Sequence, residues 1–81
     1  MNILVLGATG LLGNAMFRSM SKLANARVTG SIRRAEARAL FAPEHGAQLA
    51  VIGNAEDPAE LAGLLDATAP DVVINCIAVG R

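Results

Sequence analysis

Three glycines spaced three residues apart, Gly7, Gly10 and Gly13, follow directly on the apolar run Ile3-Leu4-Val5-Leu6. This junction restricts the fold more than any other feature of the chain. A short run that is apolar at every position is a strand buried on both faces, and such strands belong to parallel sheets covered by helices. Gly7 permits a tight turn off the strand. Gly10 brings bare main chain up to a ligand, with no Cβ in the way. Gly13, one turn into the following helix, lets helix and strand pack closely. Thr9 lies in the same bend, and the N–H groups around Leu11 and Leu12 begin a helix without intrahelical partners, so they face an anion. The helix dipole adds ~0.3–1 kcal/mol of attraction for it. The junction therefore predicts a pyrophosphate cradle and a dinucleotide-binding domain. The competing reading is a strand-to-helix turn with no ligand.

The rest of the chain keeps the same alternation. After a strand over residues 3–6, the spacing predicts a helix over 11–23, with Leu12, Met16, Met20 and Leu23 on one face and Asn25 as its stop. A strand follows over 26–31, then a weaker, Ala- and Arg-rich helix over 34–42 that Pro43 ends. Glu44-His45-Gly46 reads as a turn and 48–52 as the third strand. Asp57-Pro58-Ala59-Glu60 is a helix start: Asp57 caps, Pro58 takes the first helical position, and Glu60 reaches back as in a capping box. Leu61, Leu64 and Leu65 point to a core, Pro70 ends the helix, and the fourth strand spans 72–76. This β-α-β-α-β-α-β order predicts an α/β fold with a partial doubly wound parallel sheet in strand order 3-2-1-4. The topological switch point falls between strands one and four, and ligands bind there, beyond the carboxyl ends of the strands.

Eighty-one residues make one domain, and with two Phe and no Trp or Tyr the core is aliphatic. Seven basic and seven acidic residues give zero net charge without a basic tract, which argues against nucleic acid or an anionic membrane as partner. No signal peptide or membrane span is visible. The single cysteine, Cys76, rules out an internal disulfide, so the expected setting is a reducing cytoplasm. His45 has no neighbour at metal-ligand spacing, and no nucleophile-base arrangement exists. Glu56, Asp57 and Glu60 are explained by capping and the dipole of the helix they precede.

Three further segments meet the predicted cradle. The second strand ends in Ser31-Ile32-Arg33-Arg34, with no acid to accept ribose hydroxyls. Arg33 or Arg34, with Ser31 donating its hydroxyl, suits a ribose 2′-phosphate and favours NADP(H) over NAD(H). The alternative is two solvated charges opening a helix. Asn54 and Ala55, after strand three, either meet an adenine ring or form a polar turn. Cys76, Ile77 and Ala78 end strand four at the switch point, where small residues let a cofactor pass close to main chain and Asn75 braces the turn. Cys76 reads as a small buried apolar residue rather than a reactive thiol.

Gly7-Ala8-Thr9-Gly10-Leu11-Leu12-Gly13 resembles the GxxGxxG fingerprint of the extended short-chain dehydrogenases/reductases. With Met1-Asn2-Ile3-Leu4-Val5-Leu6 before it and Pro70-Asp71-Val72-Val73-Ile74-Asn75-Cys76-Ile77-Ala78 near the end, the chain is similar to the dTDP-4-dehydrorhamnose reductase branch, whose members are also described as sugar-nucleotide-binding or NAD-dependent epimerase/dehydratase proteins. The resemblance implies a Rossmann-type NAD(P)-binding fold and reduction of a keto carbon on a nucleotide-linked sugar. It also implies a Tyr-x-x-x-Lys proton donor, but the chain has no Tyr, and its one Lys, Lys22, lies on the first helix. Residues 1–81 are accordingly expected to be the N-terminal part of such a domain. They would bind the dinucleotide without catalysis of their own, the nucleotide sugar would be a partner only of a longer parent, and copies would associate along strand four. A nonenzymatic NADP(H)-sensing regulator and a structural fragment are the alternatives.

Overall fold

The structure, a computed structural model, describes residues 1–54 and 56–77. Four strands, β1 (Asn2–Leu6), β2 (Arg27–Ile32), β3 (Leu49–Val51) and β4 (Val72–Asn75), form one sheet in the order β3-β2-β1-β4. Every pairing is parallel, with Ile3 opposite Val28 and Val72, and Gly30 opposite Leu49. Helix α1 (Leu11–Met20) connects β1 to β2, and helix α2 (Pro58–Thr68) connects β3 to β4. The α/β class and the strand order expected from the sequence both hold.

The main core lies on the α1 side, where Ile3 and Val5 of β1, Val28 and Ile32 of β2 and Leu49 of β3 pack around Phe17. The predicted apolar face of α1 needs correction. Leu12 and Leu23 are exposed, while Gly13 and Phe17, four residues apart, are the buried positions and Met16 and Met20 flank them. Phe17 lies over Gly30, where a Cβ would come within 2.8 Å of its ring and 2.9 Å of Ala8 Cβ. A side chain at position 30 would lift the helix from the sheet. The helix also stops at Met20 rather than residue 23: Ser21 still donates its N–H to the Phe17 carbonyl, but Lys22 and Leu23 turn to the carbonyls three residues back, Ser19 and Met20, at 3.2 and 3.0 Å.

The expected helix over 34–42 is replaced by two 3₁₀ segments, Ala35–Leu40 and Pro43–Gln48. Pro43 leaves too short a run for an α-helix with a continuous apolar stripe, and only Ala37 and Phe41 reach the core. Side chains anchor the segment instead. Phe41 and His45 each meet the Phe17 ring edge to face, at centroid distances of 5.5 and 5.4 Å. Gln48 Nε2 donates to the Val28 carbonyl and Arg38 to that of Leu49.

Helix α2 starts as predicted: Asp57 accepts the Ala59 N–H at 2.9 Å and Pro58 opens the first turn. Crossing back from β3 to β4 by a right-handed connection places it on the face opposite α1. Leu4, fully buried and outside the α1-side core, faces that way by strand alternation. The helix itself buries nothing completely. Asp71 then fastens β4 to β1: it accepts the Asn2 N–H and donates its own N–H to the Asn2 carbonyl, both at 2.7 Å.

Ala69 ends α2 in the left-handed region, at φ 43° and ψ 58°, the one non-glycine with positive φ among the described residues. That conformation costs a residue with a Cβ roughly 1–2 kcal/mol. Ala69→Gly is expected to raise the midpoint of chemical denaturation by about 0.5–1 kcal/mol of stability. An unchanged or lowered midpoint would contradict the assigned cap.

Candidate functional site

The loops leaving β1, β2, β3 and β4 meet at the carboxyl edge of the sheet around one cleft of about 750 Å³. This is the size of a site that takes a ligand larger than a single sugar or base. Its centre is the turn from β1 into α1. Gly7 has φ +81°, and a Cβ there would lie 3.2 Å from the Ile77 side chain and 3.3 Å from the Cys76 main chain. Gly13 is buried beneath the cleft, where a Cβ would collide with the Gly7 carbonyl. Both are glycines for reasons internal to the protein.

Gly10 is different. Its φ of −70° and ψ of 165° suit any residue, and a Cβ would find only ordinary contacts, 3.6 Å to Gly7 O and 4.0 Å to Cys76 O. It lines the cleft and is the N-cap of α1, with no side-chain hydrogen bond to the cap and no acid in the first turn. The first N–H groups of α1 are therefore left to whatever enters the cleft. Thr9, Leu11 and Leu12 line the same wall, and the two leucines, 94% and 63% exposed, lie apolar and uncovered.

Second-row groups hold this wall in place. Ser31, 3% exposed, accepts the Gly7 N–H on its hydroxyl oxygen at 2.9 Å, and its carbonyl accepts the Ala8 N–H at 2.9 Å. Ser31 also lines the cleft, and accepting the Gly7 N–H fixes its oxygen under the glycine turn while leaving the O–H proton to donate. Cys76 donates its N–H to Leu6 O at 2.9 Å, which continues the β1–β4 ladder past the end of β4. Its side chain is half-buried, packed on the core rather than enclosed by it. Asn75 braces the last turn as expected, its Oδ1 accepting the Ile77 N–H at 3.0 Å.

Arg33 and Asn54 also line the cleft, from the β2 and β3 loops. Arg34 does not. It turns into a shallow side groove with Thr9, Arg33, Glu36, Ala37 and Leu40. Ala55 and Ala78 lie outside the described residues. Asn54 uses its side-chain oxygen on the Glu56 N–H, at 3.0 Å. Glu60 does not close a capping box either. Its Oε1 accepts from the Gly53 and Asn54 N–H groups, at 3.0 and 3.4 Å, while the Asp57 N–H goes to Asn54 O. The sequence reading missed three lining residues. Ile32 and Ile52, at the ends of β2 and β3, were signalled by lying next to those exits, and Glu56 was absorbed into the capping account. Among the described residues no His, Cys, Asp and Glu cluster could hold a metal ion, and no helix is long and apolar enough to cross a membrane.

A diphosphate suits this arrangement. Helix N–H groups without a side-chain cap, beside a glycine that adds no Cβ to the cleft wall, and a nearby arginine are the kind of donors such a group takes. The family model for the NAD dependent epimerase/dehydratase family matches residues 3–81. No curated protein and no solved structure gives a match.

Gly13→Ala is expected to destabilise the fold by about 3 kcal/mol or more, since its Cβ meets main chain that has nowhere to move. Gly10→Ala should stay within about 1 kcal/mol of the parent. Urea denaturation of the two variants checks the contrast. Equal losses would mean that Gly10, too, is there for the fold.

Proposed function

The chain belongs to the NAD dependent epimerase/dehydratase family, and from that premise we propose that it binds NADP(H) in the cleft and forms the cofactor-binding part of a nucleotide-sugar reductase resembling dTDP-4-dehydrorhamnose reductase. The observation that carries the reading is Gly10. No close contact within the protein forbids a Cβ there, and its bare Cα at the uncapped start of α1 suits a diphosphate lying against it. With the diphosphate there, Arg33 at the exit of β2 falls at the ribose end, and Arg34 and the side groove extend the positive surface. A guanidinium matches a 2′-phosphate in charge and geometry, and no acid lines the main cleft on the β2 side. Glu36, in the side groove, is the nearest candidate to hold a ribose hydroxyl instead. The opposite end of the cleft, at Asn75, Cys76 and Ile77, is left for the nicotinamide.

When bound, the nicotinamide supplies hydride chemistry. The protein's part in these residues is to hold the diphosphate on main-chain N–H groups, fix the turn through Ser31 and Asn75, and cover the cofactor with Leu11 and Leu12. The chain contains no tyrosine, so the proton donor that the resemblance implies is not among these residues. Alone they bind without turning over. The pattern Pro70-Asp71-Val72-Val73-Ile74-Asn75 supports the reductase branch in particular.

Titration against NADPH and NADH, followed by nicotinamide fluorescence, tests the reading. NADPH is expected to bind more tightly. Gly10→Ala should weaken both cofactors at least about tenfold, and Arg33→Ala should weaken NADPH about 10- to 100-fold while leaving NADH within about twofold. Tighter binding of NADH would point to Glu36 and a free ribose, and no binding at millimolar cofactor would leave only a structural role. Among the described residues the outer side of β4 is unpaired, with Val72 40% and Val73 45% exposed. This supports association of copies along that edge. Sedimentation at rising concentration should show dimers, and a monomer throughout would rule the association out.

A further inference from the structure

We propose that Arg38 and Glu60 close the β3 edge of the sheet against a second copy of the chain, each holding one half of the hydrogen bond by which two β3 strands would pair. β3 stands last in the order β3-β2-β1-β4, so one side of it has no strand partner. The ladder decides which of its main-chain groups face that side. Ile52 donates its N–H to the Ile32 carbonyl of β2, and along a strand in a parallel pair the residues that bond to a given neighbour alternate. Ala50 and Ile52 therefore face β2, while Leu49 and Val51 turn their N–H and C=O groups outward. An open row of this kind is a template for strand addition.

The chain leaves only the middle of the row open. Leu49 donates its N–H to the Gly46 carbonyl, and its own carbonyl accepts from the Arg38 guanidinium at 3.2 Å. Two residues past Val51, Gly53 donates its N–H to Glu60 Oε1 at 3.0 Å. Both side-chain bonds involve a charged group, which makes them stronger than the neutral main-chain bonds that would replace them. Between them lies Val51, 46% exposed, whose main chain is reached by no hydrogen bond outside the ladder among the described residues.

This placement fits one partner. Two β3 strands meeting antiparallel about a two-fold axis at Val51 set Leu49 of one copy opposite Gly53 of the other. The Gly53 N–H would then donate to the Leu49 carbonyl, and these are the groups that Glu60 and Arg38 hold. With both held, the Val51 pair stands alone, too short a contact for a strand to add. A foreign strand would gain a bond from the loss of either guard. A second copy gains one only when both are gone.

Sedimentation of Arg38→Met, Glu60→Ala and the double variant beside the parent, at equal concentration, tests the assignment. The single variants should keep the parent's mean mass, and the double variant should exceed it at least about twofold. Adding Val51→Lys to the double variant should restore the parent's mass, because the introduced charges stand directly opposite each other in the pairing. Aggregates of unfolded chain would not be dispersed by that change. Every comparison is with the parent, so the result does not depend on association through β4. Amide exchange followed by NMR reads the same edge in the parent alone: the Leu49 and Gly53 N–H groups should exchange at least about tenfold more slowly than that of Val51. A folded double variant of the parent's mass, a single variant that associates as the double does, a triple variant as large as the double, or a Val51 amide as slow as the other two overturns the proposal.

Discussion

The site and much of the core depend on one close approach, between Gly13 on the first turn of α1 and the Gly7 carbonyl at the end of β1. No Cβ fits between them. Because the two backbones touch, the helix axis is aimed at the carboxyl edge of the sheet. Phe17, one turn further on, is brought down on Gly30, and the first N–H groups of α1 open beside the exits of β2 and β4. A helix held a side chain's width further out would lose both the Phe17 contact and the cradle. Helix packing and the shape of the cleft therefore come from the same two glycines.

The two helices show opposite treatments of the same problem. Each begins with N–H groups that have no partner within the helix. In α2 the protein supplies partners of its own, with Asp57 on Ala59 and Glu60 on the preceding loop. In α1 it supplies none. The difference matches their positions. The start of α1 lies on the cleft, where a capping carboxylate would fill the space and place a negative charge. The surrounding loops are rigidified by hydrogen bonds of residues that line the cleft: the Ser31 hydroxyl beneath Gly7, Asn75 on Ile77, and Asn54 on Glu56. Each loop is tied to itself or to its neighbour.

Burial is uneven across the sheet. On the α1 side a single aromatic, Phe17, contacts Phe41 and His45 and organises the aliphatic residues of three strands. On the other side α2 contributes leucines that are only half-buried, and β4 lies largely exposed. The hydrogen bonds between Asp71 and Asn2 hold β4 in register where side-chain packing contributes little.

Local chemistry made the parallel sheet, its strand order, the glycine turn and the start of α2 legible in the chain itself. Buried strands, glycine turns and caps depend on residues a few positions apart, and each leaves a signature at that spacing. Most of the cleft wall followed from the same signatures, through the residues that end β1, β2 and β4. Three features depended on neighbours distant in sequence and were decided only by the fold. The buried face of α1 is set by Phe17, whose seat is made by Gly30 from another strand. The segment after β2 is 3₁₀ because its anchors are Phe17, Val28 and Leu49 rather than its own turns. The Ser31 hydroxyl supports Gly7, 24 residues away, from beneath the turn. A sequence states what each residue offers, but which offers are already taken is a property of atoms brought together in space.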